Sequence, residues 1–206
     1  MISYDIINTS FKCFNYTKFR GEWVLLTIIL VLLVAKIKHY SLKPILKAYA
    51  LYPLFLLEIG YWGLQITIFM DNYYFSQYAS YVKSAYLYVM FIPIIVYKLY
   101  KPAFFGSVSV LVGTGLNKLV MNANGGKMPV FPTLSRFTGY YNETALTNVE
   151  NIHCVGTTAS KLKILTDYID VGYCILSIGD LLVHAFTFII LFYTIKSLNK
   201  VKIEKS

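Results

Sequence analysis

Long apolar blocks, separated by short polar or basic stretches, dominate the sequence. A helix that crosses the core of a bilayer needs about 20 predominantly apolar residues, and most of the blocks approach that length. Their apolar residues are continuous rather than confined to one face of a helix or strand. The pattern therefore predicts an all-α fold, a polytopic transmembrane helix bundle of about five spans, at residues 23–40, 48–70, 81–97, 103–123 and 171–195.

Three segments lie outside the predicted spans. Residues 1–22 form a polar and aromatic leader, and the small residues of a signal-peptide cleavage site are missing after the first apolar block. Residues 124–170 make the one long loop, and residues 196–206 make a basic tail. A loop of this length is usually functional or a small folded cap. We therefore predict a leader, a transmembrane domain over residues 23–195, and a tail.

Composition and charge support a membrane location. Hydrophobic residues make up 57% of the chain and charged residues only 14%, whereas soluble domains carry about 25% charged residues. The net charge of +9 does not indicate nucleic-acid binding, because the basic residues flank the apolar blocks. Basic residues favour the cytoplasmic side of a membrane protein, so the tail is predicted inside the cell and the long loop outside. The lysines that decide this outside the tail are Lys36, Lys38, Lys43, Lys47, Lys98 and Lys101.

Polar side chains within the last two predicted spans define a candidate site. Asp180 and His184 lie one turn apart, with Ser177 on the same helical face, and the fourth span carries Asn117 and Lys118. A rise of about 1.5 Å per residue places Asn117 roughly 10 Å, and Asp180 roughly 13 Å, below the loop side of the membrane. Ionisable groups at such depths are costly and are normally kept where they are functional or paired.

The second predicted span adds Glu58 and Gln65, which are one heptad apart and nearly on one face. Counted along the helix, both lie on the half of the membrane that carries the long loop. We therefore predict one polar cavity that opens toward the loop. Its predicted ligand-binding residues are Glu58, Gln65, Asn117, Lys118, Asn124, Asp180 and His184.

Three functions are compatible with these residues. The first is a membrane component that binds a small solute or ion, alone or as a subunit of a transporter, with Asp180 as the counter-charge. The second is a membrane-embedded enzyme acting on lipid-linked or peptide substrates, with Asp180 and His184 as acid or base. The third is a structural assembly subunit, in which an ion pair between Asp180 and Lys118 joins two helices.

Cofactor and metal motifs are missing from the sequence. Cys13, Cys154 and Cys174 lack the CxxC spacing of zinc sites, and phosphate-binding and dinucleotide-binding motifs are not found. His153 and Cys154 are adjacent, so in an extended loop their side chains would point in opposite directions and could not form a nucleophilic pair. We therefore predict no metal, no cofactor and no catalytic residue.

Two short strings resemble a family of small bacterial polytopic membrane proteins that is known as a domain of unknown function. They are the Asn-Gly-Gly-x-Met-Pro string at residues 124–129 and the Ser-x-Gly-Asp string at residues 177–180. The resemblance implies a location in the bacterial cell membrane, and it brings no activity with it. It also implies functional positions at Asn117, Asn124 and Asp180 and a structural turn at Gly125, Gly126, Met128 and Pro129. The partners that we predict are the lipid bilayer, from the apolar spans, and other membrane subunits, from the interpretation as a transporter subunit.

Overall fold

A computed structural model describes residues 22–69, 79–138, 153–172 and 175–203 of the chain. Its α-helices are α1 (Glu22–Ile37), α2 (Tyr52–Phe69), α3 (Ala79–Val96), α4 (Tyr100–Ala123), α5 (Leu134–Phe137) and α6 (Ile178–Ile203). Its strands are β1 (Met128–Val130), β2 (His153–Val155), β3 (Ile169–Asp170) and β4 (Ile175–Leu176). The described chain is therefore mostly helical. The predicted leader, apart from Glu22, lies outside the described residues.

The described residues divide into two compact units. The loop unit is Val110–Val183, which contains all four strands. The helical unit comprises residues 22–109 and 184–203, and it contains α1, α2 and α3. The long helices α4 and α6 contribute residues to both units, and each unit is described by itself below.

The start of α2 and the end of α3 follow local backbone chemistry. Two 3-10 turns, Lys43–Lys47 and Tyr49–Leu51, precede α2, so its α-helix begins four residues later than the predicted span. Pro53 lies in its first turn, where a missing N–H leaves no hydrogen bond unmade. Lys98 ends α3 in the left-handed region with φ of 53°, and the Leu99 N–H donates to the carbonyl of Ile94 at 2.8 Å, as in a Schellman motif.

The last helix begins later than the sequence predicts. The span was predicted from residue 171, but β4 (Ile175–Leu176) pairs antiparallel with β3, and α6 begins at Ile178. A short apolar run in a buried strand cannot be distinguished from a buried helix by periodicity alone, which explains the error. At the other end α6 continues to Ile203, so most of the predicted tail is the last turns of this helix.

The loop unit contains β-structure that the all-α prediction did not include. Strand β1 pairs in parallel with β2, in the register Met128 with His153 and Val130 with Val155. A parallel bridge also joins Val130 to Asp167. All three residues of β1 are buried. The long loop is therefore folded around β1, with segments from two later parts of the loop paired to it.

Two helices among the described residues are long and apolar enough to cross a membrane. They are α4 (Tyr100–Ala123) and the Ile178–Lys200 part of α6, and the apolar segment Val24–Ile37 of α1 is shorter. Within the helical unit, the Asn199 side chain of α6 accepts the Ser41 N–H at 2.8 Å and donates to the Ser41 carbonyl at 3.1 Å. This two-way bond fixes the connection between α1 and α2 to the last helix.

Candidate functional site

Asn117, Ser177 and Asp180 form a closed ring of hydrogen bonds in the loop unit. The Asn117 amide donates from Nδ2 to Oδ1 of Asp180 at 3.0 Å. The Ser177 hydroxyl donates to Oδ1 of Asn117 at 2.8 Å and accepts the Asp180 N–H at 3.0 Å. The Ser177 N–H donates to Oδ2 of Asp180 at 3.2 Å. The ring joins the C-terminal half of α4 to the N-terminus of α6.

The Ser177–Asp180 half of this ring is a capping box. The hydroxyl of an N-cap serine accepts an N–H of the first helical turn, and the acidic side chain three residues on accepts the N–H of the cap. Asp180 therefore lies in the first turn of α6, not roughly 13 Å into the helix as the sequence predicted. The Ser-x-x-Asp spacing is the sequence signal from which this role of Ser177 could have been recognised.

Two glycines allow α4 and α6 to approach closely enough for the ring to form. A β-carbon at Gly113 would overlap the carbonyl oxygen of Gly179 and lie 2.9 Å from Cβ of Leu182. A β-carbon at Gly179 would overlap the Asn117 amide. Small residues at helix crossings allow such backbone contact in membrane bundles. In the helical unit, Gly106 lies similarly against Phe186.

Asn124 holds the loop rather than joining the ring. Its side chain accepts the Lys161 N–H at 2.9 Å and donates to the Lys161 carbonyl at 3.1 Å, and it also donates to the Val120 carbonyl at 2.8 Å. The next two residues, Gly125 and Gly126, adopt φ of 68° and 85°, which glycine reaches without a Cβ clash. The helix end and the loop are therefore fixed at one point.

Lys118, which follows Asn117 on α4, is not a member of this ring. Lys118 is exposed, and Asp180 is held by Asn117 and Ser177 rather than by an ion pair with Lys118. Glu58 and His184 belong to the helical unit. The Gln65 side chain lies outside the described residues. A ligand-binding role for these residues stays a prediction.

A second polar cluster of the loop unit, around Asp170, is not predicted by the sequence pattern. Oδ2 of Asp170 accepts the N–H of Thr133 at 2.6 Å, and the N–H and hydroxyl of Ser135 at 2.9 and 2.5 Å, while Oδ1 accepts the Gly172 N–H at 2.8 Å. Burial by itself raises the pKa of Asp170, but these hydrogen bonds outweigh it and the net pKa is lowered. Its partners lie up to 37 residues away in the chain, so local spacing carries no signal for it.

The side chains of His153 and Asp167 lie beside each other at the paired strands. Nε2 of His153 lies 3.5 Å from Oδ2 of Asp167, which is almost fully buried. Burial raises the pKa of the neighbouring Cys154 thiol, and Lys127 lowers it in part. Among the described residues, no group of three or more His, Cys, Asp or Glu side chains could hold a metal ion.

Two cavities of the helical unit do not involve the predicted ligand-binding residues. A groove of about 410 Å³ is lined by apolar side chains of α1, α2, α6 and the connection between α1 and α2, with Lys43 at one position. A second cavity, of about 750 Å³, lies at the α3–α4 corner beside Lys98 and Lys101. The polar cavity predicted from the sequence is neither of these.

The comparisons with known proteins identify a family for the chain but no function. No curated protein and no solved structure matches the chain. A family model does match, over residues 42–192, which includes the ring, the loop and most of the long helices. This chain therefore belongs to DUF5317, a family of unknown function.

Proposed function

We propose that this DUF5317 protein is a multi-span protein of the bacterial cell membrane, with α1, α2, α3, α4 and α6 as its five spans. The support is the exposure of large apolar side chains on these helices, for example 68% for Leu56, 62% for Ile95 and 73% for Leu111. Exposed apolar patches of this kind mark contact with lipid or with other proteins. The lysine-rich connections and the end of α6 face the cytoplasm in this proposal, and the folded loop faces outward.

We further propose that the protein binds a small cationic solute or a cation at the loop-bearing face, with Asp180 as the charged contact. One observation carries this proposal. The Asp180 carboxylate is fixed by two donors, Asn117 and Ser177, yet it is only half-buried. A carboxylate has about four lone-pair sites, so two remain for a ligand. Hard cations prefer such oxygen atoms.

A second candidate function is supported by the closure of the ring. Each polar atom of the Asn117 and Asp180 side chains already has a partner within it. The ring would then be a structural clasp between two spans, and the protein an assembly subunit. The enzyme alternative, with Asp180 and His184 as acid and base, stays a prediction.

The exchange variant Asn117→Asp with Asp180→Asn separates binding from clasping. In this variant the carboxylate at position 117 accepts hydrogen bonds from the Ser177 hydroxyl and from the amide nitrogen at position 180. The amide oxygen at position 180 accepts the Ser177 N–H. The number of hydrogen bonds is retained, but the negative charge moves from α6 to α4. The single Asp180→Asn variant, in contrast, places an amide NH₂ against a donor and loses one bond.

Thermal unfolding of the purified full-length protein is the measurement. Sodium, magnesium, calcium and putrescine chlorides serve as probes against an N-methylglucamine chloride background of equal ionic strength. Binding at Asp180 predicts that at least one probe raises the Tm of the parent but not that of the exchange variant. If no probe distinguishes the two proteins and the exchange restores the Tm lost in Asp180→Asn, the binding proposal fails and the clasp is supported.

A further inference from the structure

Glu58 of α2 is a buried carboxylate that makes no hydrogen bond of normal geometry among the described residues. Its side chain is 8% exposed, and neither Oε1 nor Oε2 accepts a hydrogen bond among the residues that the structure describes. It shares the buried face of α2 with Leu54 and Tyr61, which are 1% and 3% exposed. This position is in the helical unit, whereas the Asp180 ring belongs to the loop unit.

The polar group beside Glu58 is the phenol of Tyr86 on α3, which packs against α2. The Tyr86 hydroxyl is itself buried and completes no hydrogen bond of normal geometry. Tyr61 is the other titratable side chain near this pair among the described residues. Three buried oxygen atoms thus meet at one helix contact. Among the side chains that the structure describes, which do not include that of Lys83, no basic group neutralises the carboxylate.

An isolated carboxylate in an apolar environment is too costly to keep ionised, and such a group neutralises by taking up a proton. Ionisable side chains of this kind in membrane helices are typical of proton relays and proton-coupled sites. We propose that Glu58 is a proton-binding site within the membrane, where it is a neutral carboxylic acid at physiological pH. The proposal rests on the proposed membrane position of α2, but it does not require the Asp180 site.

Labelling with N,N′-dicyclohexylcarbodiimide tests the protonation state directly. The reagent partitions into the bilayer and reacts with carboxylic acids: the acid proton moves to a carbodiimide nitrogen and the carboxylate oxygen attacks the central carbon. Rearrangement to the stable N-acylurea then adds the whole reagent to the side chain, with no leaving group. At about pH 7 an ordinary glutamate, with a pKa of about 4.3, is almost entirely ionised and reacts little.

The full-length protein is labelled in phosphatidylcholine–phosphatidylglycerol vesicles at about pH 7 and mapped by peptide mass spectrometry. We expect modification at Glu58 at least about tenfold above that at Asp180 or Asp170, whose carboxylates accept hydrogen bonds. The Glu58→Gln variant should lose this label, and the Lys83→Gln variant, altered three residues before Tyr86, should retain it. The proposal is overturned if Glu58 is not labelled in the parent protein, including the case in which it is labelled only in the Lys83→Gln variant.

Two further measurements distinguish a bound proton from a bound metal cation and from an ionised carboxylate. Sodium chloride should not protect Glu58 from the reagent at constant pH, and protection would overturn the proposal by making a metal cation the ligand. Because glutamine resembles the protonated acid, Glu58→Gln should keep its Tm within about 3 °C of the parent. A larger loss would show that the ionised form is needed, which also overturns the proposal.

A failure of the membrane assignment is detected separately. Ile59 neighbours Glu58 and is exposed, so Ile59→Cys is made in a variant with Cys13→Ser, Cys154→Ser and Cys174→Ser. A membrane-impermeant maleimide should not react with it in sealed vesicles or after both faces are made accessible. Rapid reaction would contradict α2 as a span. Protection from maleimide combined with no carbodiimide label at Glu58 would reject the proton site alone.

Discussion

The backbone of Gly179 lies directly against the side-chain amide of Asn117, and no β-carbon fits between them. This contact is what allows Asn117 to reach both Ser177 and Asp180. The close approach of α4 and α6 and the polar ring are therefore one structural feature. A glycine in the first turn of α6 is required by sterics, since a larger residue would move the amide away from its partners.

We expect Gly179→Ala to destabilise the protein by about 1–3 kcal/mol, because the added methyl group overpacks the contact with Asn117. Gly115→Ala adds the same group on α4 at a position with no atom within 4 Å. That control should be neutral or should stabilise the helix by up to about 1 kcal/mol, since alanine has the higher helix propensity. Thermal unfolding of the two variants against the parent is the measurement. Equal changes in Tm would contradict the proposed packing role.

Replacement of Asn124 by alanine should release the loop segment around Lys161. The variant loses the two-way bond to the Lys161 backbone and leaves the Lys161 N–H without its acceptor. Loss of such bonds costs about 1–3 kcal/mol locally. Hydrogen–deuterium exchange over residues 157–166 should accelerate in Asn124→Ala. It should not change in Asn122→Ala, a control at an exposed position in the same turn. Parent-like exchange in Asn124→Ala would refute this role.

The stability contributed by Asp170 should be lost in acid. Its folded-state pKa is below the ordinary value, so the carboxylate stabilises the fold when ionised. The contribution is complete above the unfolded pKa of about 3.9 and disappears as the pH falls through the lower folded pKa. The Tm of Asp170→Asn should therefore lie below that of the parent at neutral pH, and the difference should shrink below about pH 4. A constant difference across this range would contradict the assignment.

Cys154 should react slowly with thiol reagents at neutral pH. Burial raises the pKa of its thiol, and the positive charge of Lys127 offsets part of that rise, while the thiolate is the reactive form. In a variant with Cys13→Ser and Cys174→Ser, the rate of iodoacetamide alkylation should be below that of free cysteine and should increase with pH. Lys127→Gln should slow the reaction further at about pH 8, whereas the control Lys163→Gln should not. A faster reaction in Lys127→Gln would contradict the sign of the lysine effect.

The positions of most helices could be predicted from the sequence, and the contents of the loop could not. A continuous apolar block predicts a helix where the block itself is long enough. The segments that form α1 to α4 could therefore be located to within a few residues. Residues 171, 172 and 175–177 were wrongly included in the last helix, because β4 is too short to show a period and its partner β3 lies within the loop. The strands β1 and β2 depend on pairing across a long segment of chain, which no local pattern encodes.

Part of the candidate site could likewise be predicted from the sequence, and part depends on tertiary packing. The sequence determined by itself that Asn117 and Asp180 are polar residues of two apolar segments that flank the long loop. The depth that helical rise predicted for Asp180 was wrong, because α6 begins at Ile178 and not at residue 171. Only the tertiary structure decided that Ser177 completes a ring with them, that Asn124 turns to Lys161, and that Glu58 lies beside Tyr86. Those relationships depend on side-chain direction and on which helices touch, and both are set by packing between segments that are distant in the chain.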